Sequence, residues 1–121
     1  MDSSFMFAEF AQILLDEIFS RIHAFESILS WDVNERSGVL EVKIPAVPSV
    51  YLIHQHNILE QIWLSSPLSG GWHFTFDASS NTWHDTRKKY PFFLMLFSEF
   101  KPHIPKSLWR DSLLKEQKVS V

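Results

Sequence analysis

The apolar residues of this chain change their spacing twice, and those changes constrain its fold more than any other feature. Over residues 4–25, Phe7, Phe10, Ala11, Leu14, Ile18, Ile22 and Phe25 recur every three or four positions. That spacing gathers them on one stripe of an α-helix. Glu9, Gln12, Asp16, Ser20 and His23 fall on the opposite stripe. From Leu29 to Asp85 apolar and polar residues alternate, the period of a half-buried strand. The strands are expected at 29–35, 38–45, 49–55, 60–66, 71–77 and 81–85. Arg36-Ser37-Gly38 suits a tight hairpin, and Pro45 to Pro48 separates the next pair. Pro67-Leu68-Ser69-Gly70 and Asp77-Ala78-Ser79-Ser80-Asn81 supply further turns. A second helix is expected over 89–101, with Pro91 in its first turn and Pro102 stopping it.

Consecutive strands joined by short loops imply an antiparallel sheet. The order helix, strands, helix then implies an α/β (α+β) two-layer sandwich. Two helices pack on one face of a five- to six-stranded antiparallel sheet, and the other face is open. At 121 residues the chain is expected to be a single domain, 1–121: helix 4–25, strands 29–85, helix 89–101 and a C-terminal tail 102–121. Ser3 or Ser4 is placed to cap the first helix. Phe5, Met6, Ile13, Leu15 and Phe19 extend its apolar surface beyond the main stripe. The tail carries Leu108, Trp109, Leu113 and Leu114, and is expected to cover part of the core as a short helix or an extended segment.

The chain has no cysteine, which excludes disulfides, thiol nucleophiles and thiolate metal sites. A bound metal would need oxygen or imidazole ligands. The longest apolar run, Pro91 to Phe97, is far short of a membrane helix, so no membrane partner is expected. Met1-Asp2-Ser3-Ser4 is acidic and lacks Arg, unlike a signal peptide or organelle presequence. Arg87-Lys88-Lys89 is a short basic run that reads as a solvated helix start, and no nucleic-acid partner is expected. Residues 1–41 hold eight acids and two bases, whereas residues 42–121 hold six acids and nine bases. Clustered acids create a negative potential that concentrates cations, although the same residues also make an ordinary solvated helix face.

The segment Gln61-Ile62-Trp63-Leu64-Ser65-Ser66-Pro67-Leu68-Ser69-Gly70 closely resembles the frataxin signature. Trp31-Asp32-Val33 and Ser37-Gly38-Val39-Leu40-Glu41-Val42-Lys43 resemble that family's first two strands, and Tyr51-Leu52-Ile53 its third. Gly71-Trp72-His73-Phe74 resembles the fifth in the form of bacterial members, and Asn81-Thr82-Trp83 the sixth. The resemblance covers about residues 7–100. It implies a frataxin-like or bacterial CyaY-like protein of iron–sulfur cluster assembly. Such a protein docks on a cysteine desulfurase and scaffold protein complex and modulates sulfur transfer. It also binds ferrous or ferric iron weakly on an acidic ridge of the first helix and first strand. An iron chaperone or ferroxidase acting mainly through iron is the alternative.

The implied metal residues are Asp16, Glu17, Glu26 and Asp32, with Glu9 and His23 nearby. Phe19 to Ala24 carries no carboxylate where family members often carry several, in keeping with weak binding. The implied partner surface is Trp63, Gln61, His54, His73 and Ser65, on the open sheet face by alternation. No catalytic residue is assigned, and the protein is expected to act as a monomer. The Leu64-Ser65-Ser66-Pro67 form resembles mitochondrial and alpha-proteobacterial members. It implies the mitochondrial matrix or a related organelle, with the bacterial cytoplasm as alternative.

Overall fold

The computed structural model describes residues 3–110, 113, 115 and 116. The capping expected of Ser3 or Ser4, and the packing expected of Leu114, lie outside the described side chains. The elements are α1 (Ser3–Ile22), α2 (Phe25–Leu29), β1 (Asp32–Arg36), β2 (Val39–Lys43), β3 (Val50–His56), β4 (Gln61–Ser66), β5 (Gly70–Asp77), β6 (Thr82–Asp85) and α3 (Phe92–Phe100). Two short 3-10 turns, Lys101–His103 and Lys106–Leu108, follow α3.

The six strands form one antiparallel sheet in sequence order. Ser37 and Gly38 join β1 to β2 with both φ angles positive, 51° and 77°. That is the type I′ arrangement, whose twist matches the strands it connects. Leu40, Val42, Tyr51, Ile53, Ile62, Leu64 and Phe74 are buried on one sheet face. Leu14, Ile18 and Ile22 of α1 and Phe92, Leu96 and Phe100 of α3 are buried in the same core. Phe74 meets Phe92 at 4.7 Å between ring centroids, and Tyr51 meets Phe100 at 4.9 Å. The architecture is therefore the α+β two-layer sandwich.

The largest differences from the sequence reading fall at three element boundaries. The helix expected over 4–25 ends at Ile22, and Phe25–Leu29 forms a separate turn of helix. Glu26 N donates to His23 O across three residues, which tightens the ladder and interrupts the four-residue pattern. The strand expected from 29 starts at Asp32 instead. Ser30, at φ 60°, closes α2, and Trp31 N donates back to Phe25 O. This left-handed ending caps a helix and turns the chain. It also buries Trp31 against Phe25 and Phe100. The second helix starts at Phe92 rather than 89: Lys89 has φ 63°, and Pro91 is the extended N-cap. Proline disfavours helical backbone in the residue before it, so Tyr90 cannot begin the helix.

The tail is tied to both long helices. Arg21 Nη1 donates to Leu113 O at 3.1 Å, and its guanidinium lies 3.7 Å from the Phe93 ring centre. Glu116 accepts from Phe93 N and Leu94 N at 3.1 and 2.7 Å, so its carboxylate caps α3 where Pro91 offers no side-chain cap. Of the extra apolar residues of α1, Leu15 is fully buried, whereas Phe5, Met6 and Ile13 stay exposed.

Candidate functional site

The uncovered sheet face is organised by register. Val33, Leu40, Ile53 and Leu64 point to the core, so their strand neighbours stand on the other side. Arg36 lies opposite Val39, Val39 opposite His54, His54 opposite Trp63, and Trp63 opposite His73. One row thus crosses five strands and contains no carboxylate. Ser65 stands one pair along, between Leu52 and Gly71.

Trp63 is the centre of this row. His73 stacks on it with centroids 4.3 Å apart and planes 6° apart. His56 stacks at 4.0 Å and 27°, and His54 approaches at 5.8 Å with its ring tilted. Gln61 Oε1 accepts from Trp63 Nε1 at 2.8 Å, which fixes the indole in its plane. Rings packed on both indole faces explain how a tryptophan sits half-buried on a sheet face that none of the described helices covers. His56 is not among the partner-surface residues expected from the sequence. Its contact with Trp63 is diagonal and follows from the pairing of His56 with Gln61. Burial, with His56 second, holds the His54 imidazole below its ordinary pKa. His56 Nδ1 accepts from Leu59 N at 3.2 Å, so its neutral ring carries the proton on Nε2.

The acidic residues are dispersed. Glu17 pairs with Arg21 at 3.5 Å, and His23 stacks on Phe19. Glu26 accepts from Val33 N, and Glu9 is exposed on α1. Asp32 does not converge with the α1 acids. It alternates with buried Val33 and accepts from Asn34 Nδ2, on the open face. Glu35 shares the side of Val33 and takes the place expected of Asp32. Gln12 Nε2 donates both to Asp16 Oδ1 at 2.9 Å and to Glu35 Oε1 at 2.8 Å. The one amide therefore draws a helix carboxylate and a strand carboxylate together. Glu35 could have been found from the phase of Val33, two residues before it. Among the described residues no group of three or more His, Asp or Glu side chains is gathered so as to hold a metal.

A further carboxylate fixes the β4–β5 turn. Glu99 Oε1 accepts from Tyr51 Oη at 2.9 Å and from Ser66 Oγ, and Oε2 accepts from Ser69 Oγ. Ser66 Oγ in turn accepts from Leu68 N and Ser69 N, and Trp72 Nε1 donates to Ser69 Oγ. Burial and then Glu99 push the Tyr51 phenol well above its ordinary pKa. The turn that follows the Trp63 strand is thereby pinned to α3.

Two helices on one side of a six-stranded meander, and a ring cluster on the other, define a two-layer sandwich with an aromatic cluster on its open sheet face. The frataxin-like domain model matches residues 3–106. The chain is 34% identical over 70 residues to the mitochondrial frataxin homolog of Schizosaccharomyces pombe, covering 58% of this chain and 44% of that protein. It is 33% identical over 87 residues to the iron-sulfur cluster assembly protein CyaY of Dechloromonas aromatica, covering 72% of this chain and 77% of that one. The crystal structure of trimeric frataxin from Saccharomyces cerevisiae, complexed with ferrous iron, superposes with a TM-score of 0.69 at 27% identity. That match covers 78% of this chain and 85% of the yeast chain. The chain belongs to the frataxin-like family. It spans less than half the length of the fission-yeast relative.

Proposed function

We propose that this protein serves iron–sulfur cluster assembly by docking its open sheet face on a cysteine desulfurase and scaffold complex, where it modulates sulfur transfer. The observation that carries this reading is Trp63, a large aromatic held on an uncovered sheet face by His56, His73 and Gln61. Rigid aromatics fixed before binding lose little freedom on association and dominate interface energies. The name of the Dechloromonas relative places that protein in cluster assembly. Gln61, His54, His73 and Ser65 surround the anchor and form the rest of the contact.

Iron has a second, weaker role in this reading. Asp16 and Glu35, brought together by Gln12, are the best-placed oxygen donors between α1 and β1. Hard or borderline iron cations favour carboxylate ligands, and two exposed carboxylates bind weakly. The yeast structure was obtained with ferrous iron, which supports an iron-linked role for relatives of this fold. The mitochondrial and bacterial names of the two relatives support a mitochondrial compartment, with a bacterial cytoplasm as alternative.

The test is Trp63→Ala, with fold retention checked by circular dichroism. Truncating an interface anchor costs about 2–4 kcal/mol, or roughly 30- to 1000-fold in affinity. Loss of the effect on cluster assembly is expected. An undiminished effect contradicts the docking role.

A further inference from the structure

Four of the chain's six histidines, His54, His56, His73 and His84, stand on the uncovered sheet face. Three of them pack around one indole. We infer that this face is a proton-gated docking surface for an acidic protein segment, cationic and adhesive below neutrality and weaker above it. The inference rests on the docking reading and adds to it the chemistry of the partner and a control by pH.

The geometry carries it in three steps. First, the row Arg36–Val39–His54–Trp63–His73 offers a permanent cation at one end and imidazoles along it, with no carboxylate between. At the far end Thr86 N donates to His73 O, and Arg87 Nη2 donates to Gly71 O at 2.8 Å. That guanidinium also lies 5.6 Å from the ring centre of Trp72, which shares the core side with Leu64, so Arg87 marks the sheet edge and is not counted in the row. A surface of this kind complements carboxylates.

Second, imidazole is the side chain that ordinarily changes charge near pH 6.5. An imidazolium at His73 would lie parallel to the indole of Trp63, the arrangement of a cation–π contact. His54, half-buried beside His56, keeps its neutral form to lower pH. Neutral His56 offers its Nε2–H as a donor, because Leu59 N occupies Nδ1.

Third, the other charged groups near the cluster flank the row and lie outside it. On β2, Glu41 is opposite Leu52, one pair along from His54, and lines a depression with Asn34, Arg36 and Val39. On β5, Asp77 accepts from Ser79 and lies 3.9 Å from His84 of β6. Asp32 and Lys43 are register partners at the far end of β1 and β2. Glu60, before β4, lines a groove with Met6, Phe7 and Phe10 of α1. Among the described residues no acid lies in the row between Trp63 and its histidines.

The experiment uses the full chain and a deca-aspartate peptide, whose charge is nearly constant between about pH 5.8 and about pH 7.5. Binding is measured at both values for the wild type and for a His54→Gln/His56→Gln/His73→Gln variant. The wild type is expected to bind about five- to tenfold more tightly at the lower pH, and the variant to change less than about twofold. Equal wild-type affinity at both values, or an undiminished gain in the variant, overturns the proposal. Docking on the desulfurase and scaffold complex at about pH 7.5, and its loss in Trp63→Ala, reports separately on the docking reading, since imidazoles are largely neutral there. The indole N–H resonance of Trp63 gives a readout that needs no partner. It should shift between the two pH values in the wild type, and a static resonance overturns the gate.

Discussion

Trp63 and His73 face each other across the β4–β5 pairing with ring planes 6° apart, and His56 stacks on the same indole at 4.0 Å. This packing holds the indole rigid before any partner arrives. His73→Ala should release one side of it and weaken docking on the desulfurase and scaffold complex by roughly five- to thirtyfold, about 1–2 kcal/mol. Calorimetric titration against the complex checks this, and wild-type affinity would show that the stack contributes nothing.

Glu99 holds the β4–β5 turn through Tyr51, Ser66 and Ser69. Glu99→Ala leaves the Tyr51 and Ser66 hydroxyls without their acceptor, at a cost of about 1–3 kcal/mol for each orphaned group. Urea unfolding should show a lower midpoint at an unchanged slope. An unshifted midpoint would mean that the turn is held by the backbone alone.

Glu116 caps α3, yet burial lifts its carboxyl above its ordinary value of 4.5. The bonds from Phe93 and Leu94 and the charge of Arg21 act in the opposite direction and only partly offset the burial. A raised acid binds more protons folded than unfolded. Its contribution to stability is therefore complete below the ordinary value and is lost as pH rises through the folded one. Glu116→Gln keeps an acceptor and removes the titration. The wild type should lose stability relative to this variant as pH rises from about 4 to about 7. Parallel stability curves would contradict the assignment.

Leu14, Ile18, Ile62 and Phe74 are each at most 1% exposed. Each Ala substitution should cost about 2–5 kcal/mol in thermal or denaturant unfolding. A loss below about 1 kcal/mol at Ile62 would put the strand phase, and with it the outward position of Trp63, in error.

Titration with Fe²⁺ should broaden amide resonances of Gln12, Asp16 and Glu35 before those of Asp32. The first three converge between α1 and β1, whereas Asp32 stands across the sheet. Broadening at Asp32 first would reverse that order and remove the Gln12-bridged pair as the favoured position.

The strands from β2 to β6 were legible because alternation over several residues survives tertiary packing. Leu40, Val42, Ile53, Ile62 and Leu64 show their phase in the letters alone. The break after Ile22 was not legible. Phe25 and Leu29 continue the helical spacing, and only the three-residue bond from Glu26 to His23 separates the two helices. The same shift moves the start of β1 to Asp32. Asp32 was grouped with the α1 acids through the family resemblance, while Glu35, the acid that does reach Gln12, was passed over although the phase of Val33 puts it on that side. Contacts set by register lie one step further from the sequence. His56 needs the β3–β4 pairing to reach Trp63, and Glu116 needs the path of the tail to reach α3.

The most direct test of the docking account is an amide NMR map of the isotope-labelled protein on adding the unlabelled desulfurase and scaffold complex. The account predicts that the Trp63 indole and the amides of His54, Gln61, Ser65 and His73 broaden first. Perturbation confined to the outer surfaces of α1 and α3, with the Trp63 indole unchanged, would contradict it.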